Sequence, residues 1–312
     1  MNFLSVLKLK GQCSIQDLGR LHAQHLGFSA SGAADEYAFL SANQMLGNQL
    51  NSAALEVIFG QITLRTQTHC TIAITGANCV ATINEKAISH WQVHQLQAGD
   101  TLSLSMPKRG LITYIAVAGG IKSKLWLDSR SQTLNEQVLG FNEEKITLDS
   151  KITCNEKYQP ITPTKNIKQQ SPDNFYKHNV LTLRFIPQKL WLDLDNAQQQ
   201  KVLEQQYTIS SKSNRMGYRL SQLPPSTLAH IANRKTLSKP VTYGTIQLPE
   251  SGEPIILMKE RQTIGGYPVL GNVIQTDLFR LSQLKSGEKV ILQPTTLIHA
   301  QQQLNALYQR FI

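Results

Sequence analysis

Glu260, Gln262 and Thr263 lead directly into Gly265-Gly266-Tyr267-Pro268. A carboxylate, an amide and a hydroxyl ahead of exposed backbone N–H groups suit the holding of a small polar molecule. Paired glycines permit close backbone approach, and Pro268 fixes the direction of exit. The same four residues also satisfy an ordinary tight turn. A second polar concentration runs from Ser210 to Leu220, where Asn214, Arg215, Tyr218 and Arg219 gather round Gly217. Arginine forks onto carboxylate or phosphate; a loop that salt-bridges a domain interface is the reading that chemistry alone leaves beside it. In the first half, Gln16, Asp17 and Arg20 fall in a glycine-bounded stretch, Gly11 to Arg20. Three polar side chains of mixed sign there either bind a polar group or pin the loop to itself.

The elements that must position these groups read mostly as β. Thr245-Ile246-Gln247-Leu248 and Pro254-Ile255-Ile256-Leu257-Met258 flank Glu250-Ser251-Gly252-Glu253, the pattern of a β-hairpin. Leu4 to Leu9 alternates as a strand. Ala34, Ala38, Ala42 and Met45 recur at helical spacing, with Ser31 or Asp35 as the cap and Gly47-Asn48 as the stop. That helix start, beside Ser29, Ser31 and Gly32, is either an anion seat or an ordinary capped end. From Leu55 to Val117 the chain offers short strands and turns: Ile72-Ala73-Ile74 and Val80 to Ile83 lie around Gly76-Ala77-Asn78, and Leu102, Leu104 and Met106 alternate. Such a series implies a barrel or sandwich. Tyr114 to Val117 is a strand entering Gly119-Gly120. Lys122 to Lys177 loses periodicity, most clearly at Pro160 to Lys165, and reads as an inter-domain connection. Beyond it come a strand over Leu181 to Ile186, a helix capped by Asp195, a strand over Val290 to Gln293, and a final helix from Thr296 with Leu297, Ala300, Leu304, Leu307 and Phe311 as its apolar stripe.

At 312 residues two domains are expected, here 1–175 and 176–312. Hydrophobic residues at 41% and charged ones at 17% fit a soluble protein, and no apolar run nears the ~18 residues of a membrane span. The first ten residues lack the pattern of a signal peptide, so cytoplasmic residence is the expectation. Cys13, Cys70, Cys79 and Cys154 show neither a C-x-x-C pair nor zinc spacing, which suits reduced thiols. His90 and His94 stand four apart without a following carboxylate, so no metal is expected. The formal charge of +10 is scattered rather than clustered, which argues for a solvated surface and an anionic small molecule rather than nucleic acid.

In order along the chain, Ile15-Gln16-Asp17-Leu18-Gly19-Arg20, Ser31-Gly32-Ala33-Ala34-Asp35, Ala42-Asn43 through Leu46-Gly47-Asn48, Ala54-Leu55-Glu56, Ala116 to Ile121, Ser213-Asn214-Arg215-Met216-Gly217-Tyr218-Arg219-Leu220, Gly244 to Pro249 and Gln262-Thr263-Ile264-Gly265-Gly266-Tyr267-Pro268 resemble the family of 5-oxoprolinase C subunits. This family is also called allophanate hydrolase subunit 2, the antagonist of the histidine-kinase inhibitor KipI, or the carboxyltransferase-like domain of urea carboxylase. The resemblance implies tandem cyclophilin-like β-barrels in a mainly β chain with a few helices. It implies ATP-driven opening of the 5-oxoproline lactam to glutamate, together with a KipI-like B subunit as partner and an A subunit as third component. ATP is the implied cofactor, with Mg2+ and the location of the nucleotide site left open. Arg215, Glu260 and Gln262 are then the catalytic candidates. Asp17, Arg20, Asp35, Asn214, Tyr218, Arg219, Gln247, Thr263, Gly265, Gly266 and Tyr267 are the substrate-binding candidates, and no metal ligand is named. Two other readings accompany this one: a regulator that sequesters a KipI-like inhibitor, and a carboxyltransferase-like module served by carboxybiotin on another protein. The chain departs from the family pattern Asp-Ala-Gln-Thr-Thr-Gly-Gly-Tyr-Pro. Glu260 adds a methylene, Arg261 adds a charge, and Ile264 removes a hydroxyl. The Gly-Gly-Phe loop of the pattern appears as Leu139-Gly140-Phe141.

Overall fold

The computed structural model describes residues 3–133, 145–155, 176, 179–221 and 236–311; Leu139-Gly140-Phe141 and the Pro160 to Lys165 stretch lie outside them. The chain divides into two compact units. The first holds Met1–Leu21, Ser31–Tyr176 and Phe311, and the second holds His22–Ala30 and Lys177–Arg310. The units thus interleave along the chain, where the sequence pattern predicts two continuous stretches.

In the first unit, strand β1 (Phe3–Gln16) takes in Gly11 to Gln16 of the stretch expected to be a loop and leaves Asp17 to Arg20 outside it. Gly11 does not break it. Register irregularities between Val6 and Lys8 and between Lys10 and Gln12 bend the strand against β2 (Ala54–Thr66) instead. Gly11 takes φ 92°, and a Cβ there would stand 2.7 Å from the Phe59 carbonyl oxygen, so glycine serves the bulge. The remaining strands are β3 (Cys70–Asn78), β4 (Ala81–Ile83), β5 (Lys86–Ile88), β6 (Gln92–Leu96), β7 (Thr101–Leu104), β8 (Arg109–Val117) and β9 (Lys151–Thr153). Among the described residues they form a nine-stranded sheet in the order β5-β4-β7-β2-β8-β3-β6, with β1 joined to β2 and β9 to β1. Leu4, Val6, Leu55, Ile62, Ile72, Ile74 and Ile115 fill the core on its inner face. Gly76-Ala77-Asn78, which the sequence pattern sets between two strand segments, lies inside β3.

Helix α1 (Glu36–Met45) packs on β3 and β8. Asp35 caps it, its Oδ1 accepting from Ala38 N at 3.1 Å. The approach to the helix is fixed by Glu56 of β2, whose Oε2 accepts from Ala34 N at 2.9 Å and from the Tyr114 hydroxyl at 2.6 Å. Asp35 N in turn donates to that hydroxyl at 2.9 Å.

The second unit contains β10 (Val180–Pro187), α2 (Lys189–Leu192), α3 (Asn196–Glu204), β11 (Tyr207–Ile209), β12 (Gly217–Ser221), β13 (Lys239–Pro240), β14 (Thr245–Gln247), β15 (Ile255–Leu257), β16 (Ile264–Gly265), β17 (Val269–Val273), α4 (Gln275–Leu281), β18 (Lys289–Pro294) and α5 (Leu297–Tyr308). Seven strands close a barrel in the order β10-β17-β14-β15-β12-β11-β18. The closing pair, β10 with β18, is parallel. The expected hairpin is β14 with β15, Ile246 facing Ile256. Leu181, Leu183, Phe185, Tyr207, Leu220, Ile246 and Leu292 pack the interior. Asp195 caps α3 in a capping box with Gln198. The stripe of α5 buries only toward its end: Leu307 is buried while Leu297 is 56% exposed. The chain is therefore mainly β with a few helices, its second unit a closed barrel and its first a half-barrel sheet. No helix among the described residues is long and apolar enough to cross a membrane.

Candidate functional site

The turn from Ser210 to Met216 delivers Arg215 to the mouth of the barrel in the second unit. Asn214 shapes it, its Oδ1 accepting from Met216 N at 2.8 Å. The β12–β15 ladder then continues past the strands proper, with Met258 N donating to Met216 O at 2.9 Å and Glu260 N to Arg215 O at 2.8 Å. This register places the two side chains together. Arg215 Nε donates to Glu260 Oε1 at 2.5 Å, and the side chains are 6% and 0% exposed. Removing one partner of such a buried pair costs about 3–5 kcal/mol, because it strands the other charge.

Two further cations follow within one turn. Lys259 and Arg261 flank Glu260 and are 6% and 5% exposed. Both approach one ring: Lys259 Nζ lies 4.8 Å and Arg261 Cζ 5.9 Å from the centroid of Tyr243. Arg261 Nη1 donates to Met258 O at 3.3 Å, while its Nε finds no hydrogen-bond partner among the described residues. Burial pushes its basicity down to about 10. A cation–π contact is worth about 0.5–2 kcal/mol, whereas desolvating an ion costs several kcal/mol. Tyr243 alone does not offset the buried charge of Arg261.

Gln247, at the end of β14, is 1% exposed. Its Oε1 accepts from Gln262 Nε2 at 3.2 Å, and its Nε2 is without a hydrogen-bond partner among the described residues. An amide left in that state costs about 1–3 kcal/mol. Gly265 lies over it, where a Cβ would fall 2.3 Å from Gln247 Nε2. Close approach thus explains Gly265, as expected, but the group it approaches is an amide side chain of the same barrel. Gly266 is exposed and its carbonyl accepts from the Thr236 hydroxyl. The Thr263 carbonyl accepts from Val241 N at 3.1 Å, and Tyr267 is exposed.

The other half of the arginine motif goes elsewhere. Tyr218 enters the barrel core and its hydroxyl donates to Ser282 O at 3.0 Å. Arg219, one residue on, takes the exposed side of the strand.

In the first unit, the Asp17 carboxylate accepts from Gly19 N at 2.8 Å and from Ser129 Oγ, Ser131 Oγ and Arg130 N, each at 2.6 Å. Three of these donors share Oδ1 and one takes Oδ2. Arg20 donates from Nη2 to Ser131 O at 2.5 Å and lies 4.7 Å from the Trp126 ring centroid. Asp35 holds α1 and receives the Tyr176 hydroxyl on Oδ2 at 2.5 Å. Asp17, Asp35 and Tyr218, expected to contact substrate, each hold part of the scaffold through these bonds. The pinning alternative describes the Asp17 and Arg20 stretch.

Three features carry little or no signal in the sequence. Lys259 has only its neighbour Glu260 to mark it. The Arg184–Asp277 pair has none: Nε to Oδ2 is 2.9 Å and Nη2 to Oδ1 is 2.6 Å, between residues 93 apart in the chain. A cleft of about 660 Å³ in the first unit, lined by Asn48, Asn51, Gly119, Gly120, Arg130 and Asn155, has only its glycine pair.

Comparison with known proteins places this arrangement. Residues 26–294 match the family described as carboxyltransferase domain, subdomain A and B. The 5-oxoprolinase C subunit of Escherichia coli is 31% identical over 92% of this chain and 89% of its own length. That of Haemophilus influenzae is 31% identical over 95% and 93%. Among solved structures, urea amidolyase of K. lactis superposes with a TM-score of 0.86 at 22% identity, covering 99% of this chain but 20% of that one. TTHA0988 superposes at 0.79 with 23% identity, over 94% of this chain and 55% of its own. This chain therefore spans about half of one solved relative and a fifth of the other, and those likenesses speak to the fold. The length of the family match and the two C-subunit relatives make the chain a member of the carboxyltransferase domain, subdomain A and B family.

Proposed function

We propose that this chain is the C subunit of a 5-oxoprolinase, a hydrolase complex that opens the 5-oxoproline lactam at the expense of ATP. The reading rests on similarity to two proteins of that name. The observation that carries it into chemistry is the buried Arg215–Glu260 pair at the mouth of the barrel. A five-membered lactam is a poor electrophile. Phosphorylating its carbonyl oxygen makes the carbon open to water, and the charge spread during transfer must be met by fixed donors. Glu260 holds the plane of the Arg215 guanidinium, so that the charge is aimed before substrate arrives. Gln247 offers a buried amide N–H2, suited to a carbonyl or carboxylate oxygen, and Gln262 fixes which way that amide points.

ATP enters as the co-substrate. The described residues contain no glycine-rich phosphate loop opening a helix, so no nucleotide contact is assigned to this chain. The completion of catalysis falls to the assembly with a KipI-like B subunit and an A subunit.

The test is phosphate and glutamate release by the reconstituted complex, with 5-oxoproline, urea and allophanate as substrates. Release of both products in equal amounts with 5-oxoproline alone supports the reading. Turnover only with carboxybiotin overturns it in favour of a carboxyltransferase. Tight partner binding without turnover of any substrate overturns it in favour of a regulator.

A further inference from the structure

We propose that Arg261, with Lys259 beside it on the Tyr243 ring, is a carboxylate-binding subsite of the barrel. The proposal deepens the function given above and rests on it only for the identity of the ligand that carries the carboxylate.

The geometry comes first. In the turn Met258 to Arg261, the three charged side chains separate. Glu260 goes to Arg215, while Lys259 and Arg261 go to Tyr243. The single acid of the turn is thereby committed, and the two cations gather round a neutral ring. Among the described residues Arg261 has no carboxylate partner. The Met258 carbonyl takes Nη1, which leaves the edge formed by Nε and Nη2.

The same barrel shows what that edge is for. Arg184 grips Asp277 through Nε and Nη2, at 2.9 and 2.6 Å, in the two-bond fork that a planar carboxylate fits. Arg261 presents the identical edge with Nε unpartnered on a residue 5% exposed. A guanidinium buried without a counter-charge is an unfavourable state that a bound oxyanion relieves. Its lowered basicity, caused by burial, is consistent with that absence. Lys259 Nζ lies against the same ring, 4.8 Å from its centroid.

Titration calorimetry on the full chain tests this with 5-oxoproline and with 2-pyrrolidinone, the same lactam without its carboxylate. The wild type is expected to bind 5-oxoproline at least tenfold more tightly. Arg261→Met is expected to lose that tenfold preference, and Arg261→Lys to keep part of it. Thermal unfolding in sodium acetate against sodium chloride at equal ionic strength gives a readout that needs neither lactam nor turnover: acetate should raise the midpoint of wild type more than that of Arg261→Lys. Equal affinity of wild type for the two lactams, together with no difference between acetate and chloride, overturns the subsite. So does an unchanged preference in Arg261→Met. If Arg261→Met fails to fold, the Arg261→Lys comparison and the wild-type acetate response decide. A complex that ignores 5-oxoproline while Arg261-dependent acetate binding persists removes the proposed function and keeps the subsite. A complex whose turnover and KM are untouched by Arg261→Lys, with no acetate response, does the reverse.

Discussion

The Arg215–Glu260 pair can be dissected by a double-mutant cycle. Arg215→Met keeps the length of the side chain and leaves Glu260 as a buried carboxylate without its guanidinium. Glu260→Gln keeps the shape and removes the counter-charge. Because the pair is 2.5 Å long with side chains 6% and 0% exposed, each single change should cost about 3–5 kcal/mol. For a domain of this size that is a fall in melting midpoint of about 6–20 °C. The double variant removes both charges and leaves a buried amide without its donor, which costs about 1–3 kcal/mol, less than a stranded charge. It should therefore recover about half of the single-variant loss. Equilibrium denaturation followed by tryptophan fluorescence and circular dichroism reads the cycle. Strictly additive losses would show that the two side chains are not energetically coupled and would refute the reasoning.

Gly265→Ala should destabilise by about 1–3 kcal/mol, since its Cβ would fall 2.3 Å from Gln247 Nε2; the added change Gln247→Ala should return part of that loss, read by the same denaturation. Gln247→Leu removes an amide whose N–H2 lacks an acceptor and should leave stability within about 1 kcal/mol of wild type or raise it, while lactam turnover falls at least tenfold. Asp17→Ala leaves four donors without their acceptor and should lower the melting midpoint while sparing residual turnover in proportion to folded protein. Burial pushes the Cys79 and Cys154 thiols up to about 11 and 12. The reactive thiolate is thus scarce below those values, and native-state alkylation at pH 8, read by mass spectrometry, should mark half-buried Cys70 ahead of both.

What the sequence reveals is local in origin. The β14–β15 hairpin follows from two apolar runs about a glycine turn, and the start of α1 follows from Asp35 standing three residues before Ala38, whose N–H it accepts. Gly11 and Gly76 look like breakers in sequence, yet both lie inside strands, because a bulge and a turn ask for the same residue. Closure of the second unit depends on β10 meeting β18, and among the described residues the first stays open; neither outcome is written in a short-range pattern. The site divides in the same way. Arg215, Glu260, Gln247 and Gln262 are visible as polar groups beside turns, and the meeting of Arg215 with Glu260 follows from the β12–β15 register. Tyr218 and Arg219 sit in the same motif as Arg215, but strand alternation sends one into the core and the other outward. Asp17 is visible as an acid in a polar stretch, whereas the serines that donate to it lie more than 110 residues away.

The central claim is that Arg215 acts on the reacting lactam and does more than hold the barrel. Its most direct test is the rate of 5-oxoproline-dependent phosphate release by the complex carrying Arg215→Met together with Glu260→Gln, the variant expected to stay folded. The predicted result is a loss of about 10²–10³ in kcat, the scale of removing one donor that meets developing negative charge. A folded double variant that releases phosphate at the wild-type rate would contradict it.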